Sequence, residues 1–288
     1  MKGIILAAGS GTRLHPASLP ISKILLPVYD KPMIYYPLSN LIMGGIRDIL
    51  VITNEEDDPK FRKLLGDGSQ FGVHIDYMIQ YVQRGISDAF IIAEDWIDGD
   101  DTVLMLGDNI FYGPRLQETI VSAIKENDGA TVFGYYVNDP KRFGVVEFDK
   151  DMNVISLEEK PKDPKSNYAV VGLYFYDGNA CKYAKTLTPS ADRGELEITD
   201  LNIRYMKERK LKVKLLDAGV RWLDAGTFDS LLEAGNFIKE IRDRYGINAG
   251  CPEEIALKKG FVTKEEVLER MKEFKDNDYR KYVCGICR

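Results

Sequence analysis

The sequence predicts an α/β fold: a single Rossmann-like domain whose mixed, mainly parallel sheet is flanked by helices. Two observations carry this. Through the first half of the chain, short apolar runs of strand length alternate with segments of helical periodicity, the pattern of strands joined by crossover helices. Beyond about Asp139 the order changes to closely spaced strand patterns followed by longer helical ones, which adds a β-ribbon and C-terminal helices.

Taken in order, residues 3–6 read as a buried strand, 33–44 as a helix and 48–53 as the next strand. Residues 60–65 are helical, 73–80 form a strand ending in a turn at Gly85, and 86–96 form one helix. A strand over 102–106 stops at Gly107-Asp108-Asn109; a helix over 116–126 and a strand over 130–136 follow. Residues 144–148 and 154–158 pair as a ribbon around a turn at 149–153, and 168–176 form a further strand broken by Asp177-Gly178. Helices are expected over 197–208 and 228–244, and two short charged ones beyond Pro252. No repeat or Pro/Gly/Ser-rich linker marks a clean boundary. We therefore divide the chain into an α/β domain, 1–250, and a helical extension packed on it, 251–288.

Composition narrows the function. Hydrophobic residues make up 44%, enough for a continuous core, yet no apolar run approaches the length of a membrane span. The start, MKGIILAA, imitates a signal peptide only until Gly9-Ser10-Gly11 interrupts it, so a soluble, uncleaved, cytoplasmic protein is expected. A net charge of −6 argues against a nucleic-acid surface, but leaves room for a small anion held by a few cations. Cys284 and Cys287 form a lone CxxC with no second pair to complete a zinc site, and the four cysteines read as reduced thiols.

The strongest local signal is LAAGSGTRL at residues 6–14, directly after the first strand. Glycines let backbone N–H groups approach a phosphate, and Arg13 adds a charged fork of donors. A P-loop is excluded because GxxxxGK[ST] is absent. A dinucleotide fingerprint is excluded because Leu14 stands where a third glycine belongs and Pro16 and Pro20 oppose an immediate helix. The loop is expected to run extended through Lys23, long enough to wrap a triphosphate.

The stretch GSGTRLHPASLPISKILLPVYDKPMIYYPL resembles the signature of the sugar nucleotidyltransferases, specifically the glucose-1-phosphate thymidylyltransferases. The resemblance continues through LGDN at 106–109, FGVVEF at 143–148, EEKP at 158–161 and KSNYAVVGLYFYD at 165–177. RGELEITD at 193–200, WLDAGTFDSLLEA at 222–234 and CPEEIA at 251–256 extend it over nearly the whole chain. It implies Mg²⁺-dependent transfer of a nucleotidyl group from dTTP to glucose 1-phosphate. The products are pyrophosphate and dTDP-glucose, the latter for deoxysugar (rhamnose-type) and cell-surface polysaccharide synthesis. By the same resemblance, Arg13 and Lys23 are the catalytic cations, and Leu6, Gly9, Gly11, Thr12, Gln80, Gly85 and Asp108 bind the nucleotide, with Gln80 at the pyrimidine edge. Gly144, Glu159, Lys160, Val170 and Arg193 hold the sugar phosphate, and Asp108 and Asp224 the metal.

The sequence also departs from that pattern. Ala8 replaces a usual glycine, Phe143 a tyrosine, and Phe228 a histidine after the second metal aspartate. Around the base, QYVQRGISDA at 80–89 places Arg84 and Asp88 where the commoner pattern is uncharged, which leaves a UTP-preferring enzyme as the alternative. A non-catalytic sugar-nucleotide-binding protein is the rival from another class; it would be expected to have lost Arg13, Lys23 or a metal aspartate, and all are present. The resemblance further implies a homotetramer with feedback by a dTDP-sugar.

Overall fold

The computed structural model describes residues 1–288. Strand β1 (Lys2–Leu6) leads through the glycine loop to a small hairpin, β2 (Pro27–Val28) and β3 (Lys31–Pro32), and then to α1 (Tyr35–Gly44). β4 (Asp48–Thr53), α2 (Asp58–Leu65), β5 (His74–Ile79), α3 (Asp88–Ile92), α4 (Glu94–Ile97) and β6 (Thr102–Leu106) complete the parallel half. Next come β7 (Asn109–Tyr112), α5 (Leu116–Glu126), β8 (Ala130–Tyr136), β9 (Gly144–Phe148), β10 (Val154–Glu159) and β11 (Tyr168–Tyr176). After α6 (Ala180–Ala184), α7 (Ile198–Lys207), β12 (Leu211–Leu215), β13 (Arg221–Asp224) and α8 (Phe228–Tyr245), the tail folds as α9 (Pro252–Lys258), α10 (Lys264–Met271) and α11 (Asp278–Ile286).

The fold is the expected α/β one, a mixed sheet with helices on both faces. β1 lies between β4 and β6, parallel to both, and β5 continues beyond β4. β11 runs antiparallel to β6, β8 and β9, while β12 joins the edge of β8 in parallel. Side chains alternate between the faces with the two-residue period of a pleated strand. Ile5, Val51 and Val103 enter one core with α1 and α5, whereas Ile4, Leu50 and Leu104 enter the other with α3, α6 and α7. Tail residues Cys251, Ala256, Val267, Met271 and Val283 share the first core with Tyr35 and Leu38, so the extension and the α/β domain are packed as one body.

Several details differ from the sequence expectation. α1 starts at Tyr35 because the amides of Met33 and Ile34 are bonded to the carbonyls of Leu26 and Ile24 in the preceding loop. The helix expected over 86–96 is two, divided at Ala93 (φ −91°, ψ 6°), after which Trp96 Nε1 donates to Asp76 in β5 (2.7 Å). The tail holds three helices, not two; α10 is secured by a capping box between Thr263 and Glu266. The loop after β1 is not extended either. Two single 3-10 turns, Thr12–Leu14 and Lys23–Leu25, fold it back, held by Ser18 Oγ on the Gly11 carbonyl (2.7 Å) and by Ser22 capping Ile24. Gly11 has φ +64°, and a Cβ there would meet Ser18 at 3.2 Å, so glycine is favoured.

Candidate active site

The chain leaves β1 to one side through α1 and β4, and later returns to β1's other side as β6. The carboxyl ends of β1 and β6 therefore form a topological switch point, the place where open α/β sheets bind ligands. A second feature widens the crevice. β6 pairs with β11 only from Leu173 to Tyr176, and the β9–β10 ribbon takes over β11's edge at Ala169. The sheet forks between these pairings, and the fork opens a cleft of about 600 Å³.

One wall comes from the two strand ends. Leu6, Gly9, Thr12, Arg13 and Lys23 line it from the glycine loop, and Asp108 and Asn109 from the end of β6. Lys23 Nζ makes an ion pair with Asp108 Oδ2, and Asn109 Nδ2 donates to Asp108 Oδ1 (2.9 Å). Burial raises the Asp108 carboxyl's pKa, but Lys23, Asn109 and Arg13 together outweigh it and bring the group below its ordinary value. Asp224 arrives on β13, which pairs antiparallel with β7 so that Asp224 stands opposite Asn109. Its carboxyl is raised, by burial first and by the negative charge of Asp108 second. Gly226 makes room for Arg13: a Cβ there would lie 2.6 Å from Nη2.

The other wall comes from the ribbon and α7. Gly144, Glu159, Lys160, Val170 and Arg193 all line it. Glu159 is the hub: its Oε2 accepts from Thr199 Oγ1 (2.6 Å), and its Oε1 accepts from Arg193 Nη2 (3.2 Å) with Lys160 Nζ 3.7 Å away. Arg193 also contacts Glu195 (3.4 Å) and Glu197 (2.5 Å). Burial is the main cause of a raised Glu197 carboxyl. Lys160 adopts φ +45°, an unfavourable backbone state for a residue with a Cβ, with its N–H donating to the Phe143 carbonyl (3.0 Å).

Gln80, Gly85 and Gly11 do not line the cleft. Gln80 is buried beside a shallower recess formed with Asn54, Glu55, Glu56 and Tyr81. The strap 80–88 carrying Gln80 and Gly85 is pinned on both sides. Gln83 Nε2 donates to the Ala8 carbonyl (2.8 Å), while Arg84 and Ser87 exchange backbone bonds with Leu196 (2.6 and 3.1 Å). Ala8 is fully buried and takes no part in the cleft wall.

The sequence pointed to neither Thr199 nor Arg142, both of which line the cleft, and gave Asn109 no role beyond its turn. Asn109 Oδ1 accepts from Trp222 Nε1 (2.6 Å) and from the Gly172 N–H (3.0 Å), tying β7, β11 and β13 together behind Asp108. Only the Asn after Asp108 and the Trp two residues before Asp224 hinted at this brace. No cluster of three or more His, Cys, Asp or Glu side chains is placed to cage a metal. One buried and one half-buried carboxylate, Asp108 and Asp224, repel each other beside the glycine loop and suit a divalent ion completed by phosphate oxygens and water.

A cleft at the switch point, with cations on both walls and paired carboxylates at its base, is built for joining two phosphate esters. The family model of the nucleotidyl transferases matches residues 2–241, and the chain belongs to that family. Among curated relatives it is 53% identical over 286 residues to the glucose-1-phosphate thymidylyltransferase of Neisseria gonorrhoeae, covering 99% of each chain. The enzyme of that name from Mycolicibacterium smegmatis is also 53% identical over 286 residues, again with 99% of each covered. A solved Bacillus anthracis structure described as a glucose-1-phosphate thymidylyltransferase superposes with a TM-score of 0.76 at 43% identity, covering 82% of this chain and 94% of that one. A UDP-glucose pyrophosphorylase structure at 22% identity shares the fold, with a TM-score of 0.73 over 84% of this chain and 99% of that one.

Proposed function

We infer that this chain is a glucose-1-phosphate thymidylyltransferase: it transfers a thymidylyl group from dTTP to glucose 1-phosphate and releases pyrophosphate. Full-length similarity to curated thymidylyltransferases supports the reading. The structural observation that carries it is the convergence of Arg13, Lys23, Asp108 and Asp224 on one side of a cleft whose other side holds Lys160 and Arg193.

A phosphate oxygen of the sugar phosphate attacks the α-phosphorus in line, and pyrophosphate departs from the opposite side. Both reactants are anions, so the work is charge neutralisation and alignment. Lys23 holds the reacting α-phosphate and Arg13 the leaving pyrophosphate, with the amides of Gly9 and Thr12 along the triphosphate. Lys160 and Arg193 grip the sugar phosphate, Glu159 accepts from sugar hydroxyls, Gly144 offers backbone, and Val170 packs on the sugar's apolar face. Asp108 and Asp224 are the residues that hold Mg²⁺, which when bound supplies positive charge to the phosphate oxygens. Leu6, Gln80 and Gly85 receive the nucleoside.

Pyrophosphate release across dTTP and UTP, each with glucose, galactose and glucosamine 1-phosphates, tests this. Rapid turnover is expected with dTTP and glucose 1-phosphate. Faster turnover with UTP would replace the reading by a uridylyltransferase, and no release with any pair would leave only a binding protein. No helix is long and apolar enough to cross a membrane. We further read the enzyme as a cytoplasmic homotetramer restrained by a dTDP-sugar. Native mass measurement tests the tetramer. Purely competitive inhibition, with one nucleotide bound per subunit, would remove the feedback.

A further inference from the structure

The strap between β5 and α3 carries a polar arrangement that the reaction does not call for. Gln80 is buried to 6% exposure, yet its side-chain amide is fully committed on one end only. Nε2 donates to Asp88 Oδ2 at 3.0 Å and reaches the Gly85 carbonyl at 3.4 Å. Asp88, only 1% exposed, has Arg84 Nη2 2.7 Å from its other oxygen, an ion pair without hydrogen-bond alignment. A carboxylate facing a guanidinium can only accept, and a backbone carbonyl can only accept. The Gln80 amide therefore has one allowed orientation, with its NH₂ turned to these two acceptors. Its Oε1 receives no hydrogen bond and keeps some contact with solvent. In the same strap, the Gly85 N–H also has no protein partner. Gly85 cannot easily be rearranged: its φ is +101°, and a Cβ would sit 2.6 Å from the Leu196 carbonyl oxygen. Leu6 and Ile86, the residue after Gly85, line the edge of the cleft, so the strap borders the end of the pocket next to β1.

The unpartnered groups are thus an acceptor, Gln80 Oε1, and a donor, the Gly85 N–H. That pair complements the imide edge of a pyrimidine, an N–H beside a carbonyl. Cytosine in the same pose presents the reverse order, a ring nitrogen that accepts beside an amino group that donates. The geometry points to Asp88 as a specificity-determining positioning residue: by taking the Gln80 NH₂, it leaves the strap complementary to thymine and uracil and opposed to cytosine. The inference rests on the reading that Gln80 and Gly85 receive the base. It draws no distinction between dTTP and UTP, because both bases carry the imide.

The test compares kcat/KM for dTTP, UTP and dCTP, each with glucose 1-phosphate, in the wild type, Asp88→Asn, Asp88→Glu and Gln80→Ala. Asn can donate as well as accept, so it frees the Gln80 amide to turn over. Asp88→Asn is expected to lower the dTTP:dCTP ratio by at least roughly tenfold through a mispaired polar group, with the loss falling on KM for dTTP rather than on kcat. Asp88→Glu, which keeps an acceptor-only group, is expected to restore most of the ratio, and dTTP:UTP stays within twofold throughout. The ratios do not depend on the folded fraction, so a destabilised variant remains informative. An unchanged dTTP:dCTP ratio in Asp88→Asn, with a collapsed ratio in Gln80→Ala, overturns the role of Asp88 alone. An unchanged ratio in Gln80→Ala overturns the underlying reading of the base site.

Discussion

The ammonium of Lys23 is ion-paired with the carboxylate of Asp108 across the gap between β1 and β6. Both side chains are largely buried, and Lys23 is the main counter-charge of Asp108. One carboxylate oxygen cannot serve a lysine and a divalent cation equally. On the proposed reading, a metal ion taken up by Asp108 frees Lys23 for the phosphate beside it.

Replacing Lys23 by Ala should therefore act in two directions. Turnover is expected to fall by about 10²–10³-fold, as for loss of one electrostatic group at a developing charge. Binding of Mn²⁺ without nucleotide, followed by electron paramagnetic resonance, should tighten, because the competing ammonium is gone. Weaker Mn²⁺ binding would show that Lys23 does not compete for Asp108. Stability should also drop by about 3 kcal/mol, since Asp108 is left buried without its partner.

Asp224→Asn should stabilise the folded protein at neutral pH. Burial and the charge of Asp108 raise the Asp224 carboxyl. A carboxyl raised above its unfolded value contributes stability below that unfolded value, about 4 for Asp. The contribution is lost as pH rises through the folded value. The variant's advantage in thermal melts should consequently be largest near pH 7 and shrink on acidification to pH 4. A variant that melts lower at every pH would contradict this. Turnover should fall by at least about 10²-fold in the same protein, separating fold from function.

Gly172→Ala should damage the site by displacing Asn109. A Cβ at that position would lie 2.6 Å from Asn109 Oδ1 and 2.7 Å from its Cγ, displacing the side chain that orients Asp108. Loss of such an outer brace typically costs 10–100-fold, so metal affinity and kcat/KM should drop together by about that factor. Normal Mn²⁺ affinity with low activity would place the damage elsewhere.

Thr199→Val removes the hydroxyl that holds Glu159 while nearly preserving volume. KM for glucose 1-phosphate should rise roughly tenfold, the worth of one hydrogen bond, with KM for dTTP unchanged. Equal changes in both constants would argue against a sugar-side role.

Much of this was readable from sequence because the signals were local. The apolar run ending at Leu6, the glycines after it and the stop at Gly107-Asp108 each announce a strand end within a few residues. What escaped notice depends on pairing between distant segments. β7 and β13 are four residues each, separated by more than a hundred positions, and neither has a pattern that declares it a strand; only their mutual pairing does. The same holds for the brace of Asn109, Trp222 and Gly172 and for the Thr199–Glu159 bond. Asp88 was visible as a misplaced charge, but its consequence for Gln80 needed the strap's turn.

Arg193 is surrounded by Glu159, Glu195 and Glu197. Sulfate entering the cleft gains little there, because it must share the guanidinium with three acids and donates no hydrogen bond to them. On the proposed reading, a sugar phosphate brings hydroxyls for Glu159 together with oxygens for Arg193. On that reading the acid ring acts as a filter: sulfate should inhibit weakly, and selectivity for a phosphorylated sugar follows from a crowd of negative neighbours around one cation.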